Sequence, residues 1–403
     1  MTLIERIKQF NADREPERLA IKYRLMRTDP FVLLRGTCHL FYEDWQQKLL
    51  AIDAPLAWIC GDLHLENFGS FKGDNGLVYF DLNDFDEAVL APAHWELARL
   101  MTSILVAAKS LKLSHQDALK LCDVLLNQYA ATLTIGKAKW IERKTASGMI
   151  KDLLDPLKRR TRKELLDSRA PLDHGRRQLL LDGTKFLPIK RNVKKNILSL
   201  FESFAATQSN PEFYQPLDIA RRIAGTGSLG IERYAILVKG NGSPDENYLI
   251  DIKQAKPSAL MPYLPLKLLK AQPHWKSEAE RVVDIQKRAQ AVSPGFLEAI
   301  HFQQQPYVIK RLQPVDDRLK LALWNGKINR LMTVIESMGE LVAWSHLRSS
   351  GRQGSAIADA WIAFGSESAN WRKPLINLAI DAADKTVADW GIYAKGYDAG
   401  YFN

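Results

Sequence analysis

The chain has 403 residues, 46% apolar, 25% charged and 9% aromatic. That composition excludes a disordered or fibrous protein, and the length suits one bilobal unit or two domains, each with its own core. Its 56 Lys and Arg outnumber 46 Asp and Glu, a net charge of +10 that calls for an acidic partner.

Cys38, Cys60 and Cys122 have no paired spacing, support neither a disulfide scaffold nor a zinc ribbon, and read as buried thiols in a reducing compartment. The opening MTLIERIKQF lacks the apolar core of a signal peptide, and no apolar run reaches bilayer length. A cytoplasmic location without membrane contact is expected.

Residues Thr2 to Ala51 read as helix-rich, with a break at DPF where Pro30 pushes Asp29 out of helical geometry. Arg35 follows, either contacting the edge of a site or capping a helix end. The stretch Trp58 to Glu87, WICGDLHLENFGSFKGDNGLVYFDLNDFDE, then reads as strand, loop, hairpin turn, strand and acidic loop. Both loops open at neighbouring strand ends, so Asp62 and Asn67 are expected to face Asp84 across a gap suited to a hard cation such as magnesium. Phosphoryl transfer needs those parts: a carboxylate for the hydroxyl proton, and an amide with a second carboxylate to hold the metal. Asp and Asn also cap helices and shape turns, but D-x-H-x-x-N followed by N-D-F-D is a more specific combination.

Pro92 opens a helix with Leu97, Leu100, Met101, Ile104, Leu105 and Ala108 on one face, and a second helix runs from about Ser114 to Leu133. From Lys137 to Lys195 there are 18 Lys and Arg against 7 Asp and Glu. This segment is a solvated basic face, a contact for an acidic substrate, or a nucleic-acid contact. Few aromatics interleave it, which disfavours nucleic acid.

From Leu217 the pattern turns to strand. A G-x-G-x-x-G element at Gly225, Gly227 and Gly230, enclosing Thr226 and Ser228, precedes two β-compatible runs, Ile231 to Val238 and Tyr248 to Ile252. A dinucleotide-binding reading requires a helix after the glycines and has Asp251 available, 21 residues past Gly230. The hairpin pattern and Lys253 at the end of the next strand favour a loop of the kinase type instead, with backbone amides covering phosphates and Lys253 holding their charge. Lys276 to Ala291 reads as a helix whose Glu278 or Glu280 can pair with Lys253, Glu280 being preferred. Gln305 to Leu312 reads as a strand whose backbone at Ile309, Lys310 and Arg311 is expected to meet an adenine edge. Helices complete the chain over Ile328 to His346 and from Ile357 onward.

GDLHLENF with NDFDEA resembles the catalytic and metal loops of aminoglycoside phosphotransferases, within the protein-kinase-like superfamily. DPFVLLRG, CGDLHLENFG, FDLNDFDEA and HWELARL together resemble a bacterial family catalogued as domain of unknown function 2252. The kinase-like resemblance implies Asp62 as catalytic base, His64 as organiser of its loop, Asn67, Asp84 and Asp86 at the metal, and Glu96 as a structural acid. Cys60 departs from the His common before Gly-Asp in phosphotransferases, and Asp86 stands where protein kinases carry Gly. The parts also come in rotated order, catalytic and metal loops first, glycine loop and Lys253 later.

The expected fold is therefore α+β, a bilobal kinase-like fold in circularly permuted order. Residues 217–313 would form a small β-rich lobe, and 1–216 with 314–403 a large helical lobe. The expected function is an ATP- and magnesium-dependent phosphotransferase acting on a small-molecule or protein hydroxyl. Three alternatives stand beside it: a nucleotidyl (AMP) transferase, a metal-dependent hydrolase using Asp62, His64, Asp81, Asp84 and Asp86, and a non-catalytic nucleotide-binding pseudokinase.

Overall fold

In the computed structural model, which describes residues 1–302 (Phe302 by its backbone alone), 305–314 and 317–402, four helices open the chain. They are α1 (Leu3–Phe10), α2 (Pro16–Met26), α3 (Pro30–Gly36) and α4 (Cys38–Leu50). The break expected at Asp29 is the start of α3. Pro30 occupies a first-turn position that needs no N–H, and the Asp29 carboxylate accepts from the Phe31 N–H at 2.7 Å.

Four strands follow: β1 (Leu56–Ile59), β2 (Phe68–Lys72), β3 (Val78–Leu82) and β4 (Val89–Pro92). β1 pairs antiparallel with β4, and β2 with β3 through the Gly73–Gly76 turn, where Gly76 takes φ 78°. The loops after β1 and β3 thus open side by side, and Asn83 N–H donates to the Asn67 carbonyl at 3.0 Å.

Next come α5 (His94–Ala107), α6 (His115–Ile135), β5 (Ile141–Glu142), α7 (Gly148–Arg159), α8 (Arg162–Arg169), a ribbon of β6 (Leu172–Asp173) and β7 (Arg176–Arg177), β8 (Phe186–Leu187) and α9 (Arg191–Ala206). The chain continues with β9 (Pro216–Arg222), β10 (Arg233–Val238), β11 (Tyr248–Gln254), α10 (Leu266–Ala271), α11 (Glu278–Ala289), β12 (Glu298–Phe302) and β13 (Gln305–Arg311). It ends with α12 (Ile328–Arg348), α13 (Ala358–Ser366) and α14 (Ser368–Asp398). The architecture is mixed α+β.

The main sheet is antiparallel with the order β12-β13-β11-β10-β9-β8. Side chains alternate faces along a strand, so Tyr234, Ile236, Ile250, Ile252 and Ile309 share one face. They pack against Ile197, Leu200, Phe201 and Phe204 of α9. Burying those four α9 side chains stabilises the sheet by roughly 6–12 kcal/mol relative to leaving them in water. The opposite face carries Arg233 across from Lys253, and Asp251 beside it on β11. The sheet therefore draws on residues earlier than the expected boundary at 217. The apolar stripe of α9 recurs at helical spacing inside a lysine-rich segment.

α5, α6, α12 and α14 form the large core around Trp95, Met101, Leu126, Met338 and Leu375, and α11 joins it through Val282, Ile285 and Ala289. Its fully buried members anchor the strand that leads into the Asp62 loop: Trp58 of β1 is in the same core, and its indole N–H donates to the Arg352 carbonyl at 2.8 Å. Two sequence-distant junctions are adjacent. The Lys8 ammonium donates to the Tyr401 carbonyl at 3.1 Å, and Ala356 N–H, just past α12, donates to the Leu56 carbonyl at 2.8 Å. Among the described residues no helix is long and apolar enough to cross a membrane, and the three cysteines are free and buried.

Candidate active site

The charged face of the main sheet looks down on the two loops that follow β1 and β3, and a cleft of about 1110 Å³, counted out to its mouth, lies between them. Asp62, His64, Asn67, Asp84 and Asp86 line it from below. Gly225, Thr226, Gly227, Ser228, Lys253 and Lys310 line it from above.

The lower loop turns on Gly61 at φ 81°, where a Cβ would run into the Glu87 backbone. Asp62 Oδ1 accepts from Arg99 Nε at 2.7 Å. Arg99 also reaches the Leu34 carbonyl at 2.9 Å and is fully buried. One carboxylate oxygen is thus anchored from behind, which leaves Oδ2 toward the glycine loop. Asn67 ties the two loops together. Its amide N–H group donates to the carbonyls of Asp62 (3.0 Å) and Asp84 (3.2 Å), and its Oδ1 accepts from Asp84 N–H at 2.7 Å.

Burial first, then the cations Arg35, Arg99 and Arg318, hold the His64 imidazole well below its usual range. His64 is therefore neutral, with Nδ1 accepting from Glu66 N–H at 3.1 Å. Beneath the loop, Tyr129, His346 and Glu96 form a buried relay. The Tyr129 hydroxyl lies 2.9 Å from His346 Nδ1, and His346 Nε2 lies 2.7 Å from Glu96 Oε1. Glu96 Oε2 accepts from Cys60 N–H at 2.8 Å.

In the acidic loop, Lys253 pairs with Asp86 and stands 3.8 Å from Asp84 Oδ2. Burial pushes the Asp84 carboxyl up, but Lys253, Lys310 and Arg233 outweigh it and hold the group down at about 2. The Asp84 side chain remains half exposed to the cleft, at 50%. Asp86 is pushed up, by burial and then by Asp84. Glu87, next in the chain, rises to about 7, chiefly through burial and further through Asp62 and Asp86. Among the described residues no group of three or more His, Cys, Asp or Glu stands ready to hold a metal. Asp84 and Asp86 fit magnesium, which takes one or two carboxylates and completes its shell with phosphate oxygens and water.

The glycine loop joins β9 to β10. A strand, not a helix, follows it, and Asp251 is buried between Arg222 (2.7 Å) and Arg233 (2.6 Å). Both facts overturn the dinucleotide reading. The loop rests close on the Asp62 loop: a Cβ on Gly227 would lie 3.2 Å from the Arg35 carbonyl and 3.8 Å from Asp62 Oδ2. The turn between α1 and α2, and α2 itself, grip it. Arg14 donates to the Gly227 (2.5 Å) and Leu229 (2.8 Å) carbonyls, and the buried Lys22 ammonium donates to Gly227 O at 3.3 Å. Gly230 packs against Arg14 outside the cleft.

Several expected residues are placed elsewhere. The Glu280 carboxylate accepts from Lys276 N–H at 2.9 Å and Glu278 pairs with Arg281 at 2.5 Å, so neither meets Lys253, whose partners are Asp86 and Asp84. Ile309 stands between Ile252 of β11 and Glu298 of β12, Lys310 faces Asp251 of β11, and the Arg311 N–H donates to the Gly295 carbonyl at 2.7 Å, so this backbone is engaged within the protein and does not offer a free base-binding edge. Only the Lys310 side chain of the three lines the cleft. Asp81 lies buried near Arg348, 3.4 Å away, outside the cleft. Sequence reasoning missed Arg14, Lys22, Arg99, Arg222 and Arg233. Of these, Arg99 had a signal: with Glu96 it is one of two charges three residues apart in an otherwise apolar helix.

The model of a bacterial family described as "Uncharacterized protein conserved in bacteria (DUF2252)" matches residues 14–396. The chain belongs to that family. No curated protein and no solved structure matches it. In this DUF2252 member the matched span takes in both cleft loops, the glycine loop, Lys253 and the α12 relay.

Proposed function

We propose that the protein is an ATP- and magnesium-dependent phosphotransferase with a kinase-like bilobal fold in circularly permuted order. The observation that carries the reading is Lys253, on the third strand of the β9–β11 meander, meeting Asp84 and Asp86 across from Asp62 although it lies 167 residues beyond Asp86 in the chain. A glycine loop between the first two strands, a lysine on the third, a helix and then a strand pair is the order of parts that phosphoryl transfer uses to hold nucleotide phosphates. The rotated order is supported by the adjacent chain ends and by Ala356 lying beside Leu56. The helix that would lead into the Asp62 loop in an unpermuted chain therefore still reaches it in space.

In this reading Asp62, fixed by Arg99 through Oδ1, uses Oδ2 to orient and deprotonate an acceptor hydroxyl. His64, neutral, shapes the loop. Asp84 and Asp86 would hold magnesium, with Asn67 locking Asp84 in place and keeping a lone pair on Oδ1. The ion supplies charge neutralisation at the phosphates. Lys253 passes from Asp86 to the phosphates when they arrive. Amides of Gly225 to Ser228 cover the same charge. The placement of Asp81 and the absence, among the described residues, of a ready metal cluster disfavour the hydrolase reading.

Nucleotidyl transfer is favoured by one observation. Beside Lys253 and Lys310 the cleft-facing side of the sheet carries Arg222, Arg233 and Asp251, a charged ceiling that suits phosphates better than an adenine ring.

Product analysis with magnesium, ATP and a panel of hydroxylated acceptors tests the reading. ADP and a phosphorylated acceptor, both lost in Asp62→Asn, are expected. Pyrophosphate release would move the assignment to nucleotidyl transfer. Nucleotide binding with no turnover on any acceptor would favour the pseudokinase.

A further inference from the structure

A second hollow of about 690 Å³, counted to its mouth, adjoins the cleft and shares Asn83, Lys310, Gln313 and Pro314 with it. Its walls come from the β2–β3 hairpin, the end of β13 and the basic segment at the α7–α8 junction. Phe71, Leu157, Leu165 and Leu312 make it partly apolar.

Five cations, Lys72, Arg160, Arg162, Lys310 and Arg311, line the hollow against one carboxylate, Asp317. Two of the five are fixed by the protein. Arg160 takes Asp317 in a two-pronged pair, both contacts at 2.6 Å. Arg162 pairs with Glu246, donates to the Tyr248 hydroxyl at 2.5 Å and stacks 4.0 Å from that ring. Of the other three, Lys310 shares the charge of Asp84 and Asp251 on the main-cleft side, while Lys72 and Arg311 have no carboxylate partner among the described residues. Among the described residues Arg311 has only the Tyr248 ring, 5.2 Å away, and the Nε2 of Gln313 and the Nε of Arg162 are buried without a hydrogen-bond partner.

Partly buried cations gathered without counter-charges are unfavourable in the empty protein and become favourable once an anion enters. Burial, and then neighbouring arginines, lower the Lys72 ammonium, which agrees with that crowding.

We propose that this hollow is a second anion-binding subsite, taking a phosphate or carboxylate group of a ligand whose remaining body rests on the apolar walls. Assigning that ligand as the acceptor rests on the phosphotransferase reading; the existence of the subsite does not. The subsite also accounts for part of the basic segment, because Arg160 and Arg162 are built into the wall of a ligand site.

The probe is inorganic pyrophosphate, titrated calorimetrically into the full chain without nucleotide or metal. Lys72→Met with Arg311→Gln is expected to weaken binding at least tenfold, while Lys195→Ala, on the exposed side of α9 and away from both hollows, changes it less than threefold. Labelling of Lys72 by an amine reagent, read by mass spectrometry on the wild type, gives a check independent of variant folding, and pyrophosphate should slow it. Equal loss in Lys195→Ala, unaltered binding in the double variant, or unprotected Lys72 overturns the proposal. Simultaneous binding of pyrophosphate and a non-hydrolysable ATP analogue with magnesium assigns the anion to the acceptor, whereas competition assigns it to the nucleotide. If the analogue fails to bind while pyrophosphate still protects Lys72, the subsite stands and the phosphotransferase reading falls.

Discussion

Arg99→Met removes the fully buried guanidinium behind Asp62 and keeps much of its volume. Taking one partner from a buried ion pair costs about 3–5 kcal/mol, mostly from the charge left unpaired. Asp62 keeps 20% of its side chain exposed, so water relieves part of that. A loss of about 2–4 kcal/mol is expected. The Arg99 bond to the Leu34 carbonyl, 2.9 Å long, is also lost and keeps the figure from falling lower. Asp62→Asn alone leaves Arg99 buried without a counter-charge and should cost a similar amount. The double variant has no unpaired charge, so the two losses should fail to add by about 2 kcal/mol. Urea unfolding of the four proteins measures this from midpoints at a common slope. Coupling below about 0.5 kcal/mol would refute the claim that Arg99 positions Asp62.

Gly227→Val should crowd the Arg35 carbonyl and Asp62, lift the loop and weaken nucleotide binding about tenfold, a change of about 1.4 kcal/mol, with little change in melting temperature; calorimetry and a thermal melt separate the two effects. His346→Leu strands the Glu96 carboxylate, which is 1% exposed, and should cost about 3–5 kcal/mol in urea unfolding. Glu87 carries a pH dependence: its folded pKa of about 7 stands above the ordinary 4.5. The native state therefore holds a proton that the unfolded chain releases, and this contribution is full below 4.5 and lost as pH rises through 7. Wild-type stability should fall by about 1–3 kcal/mol over that window, and Glu87→Gln should flatten the fall.

Elements set by local chemistry were legible in the sequence: the break at Asp29 before Pro30, the Gly73–Gly76 turn and the apolar face of α5. The meeting of the 62–67 and 83–87 loops followed from the hairpin between them. What stayed hidden depended on the approach of distant segments. For Lys253 the sequence pointed to Glu278 or Glu280 on α11, and the packing of α11 into the large core turned both elsewhere. Arg14 in the turn after α1 and Lys22 in α2 sit in an unremarkable charged stretch, and nothing local marks them as holders of a glycine loop more than 200 residues away. The α9 stripe of Ile197, Leu200, Phe201 and Phe204 was masked by the surrounding lysines, which drew attention to charge over period.

The most direct test of the proposed nucleotide site is thermal stabilisation by ATP, with and without magnesium, in the wild type, Asp84→Ala and Lys253→Ala. Magnesium-dependent stabilisation that disappears in both variants is expected, because the two residues come from opposite walls of one site. No shift with any nucleotide, together with stabilisation by a divalent metal alone, would contradict it.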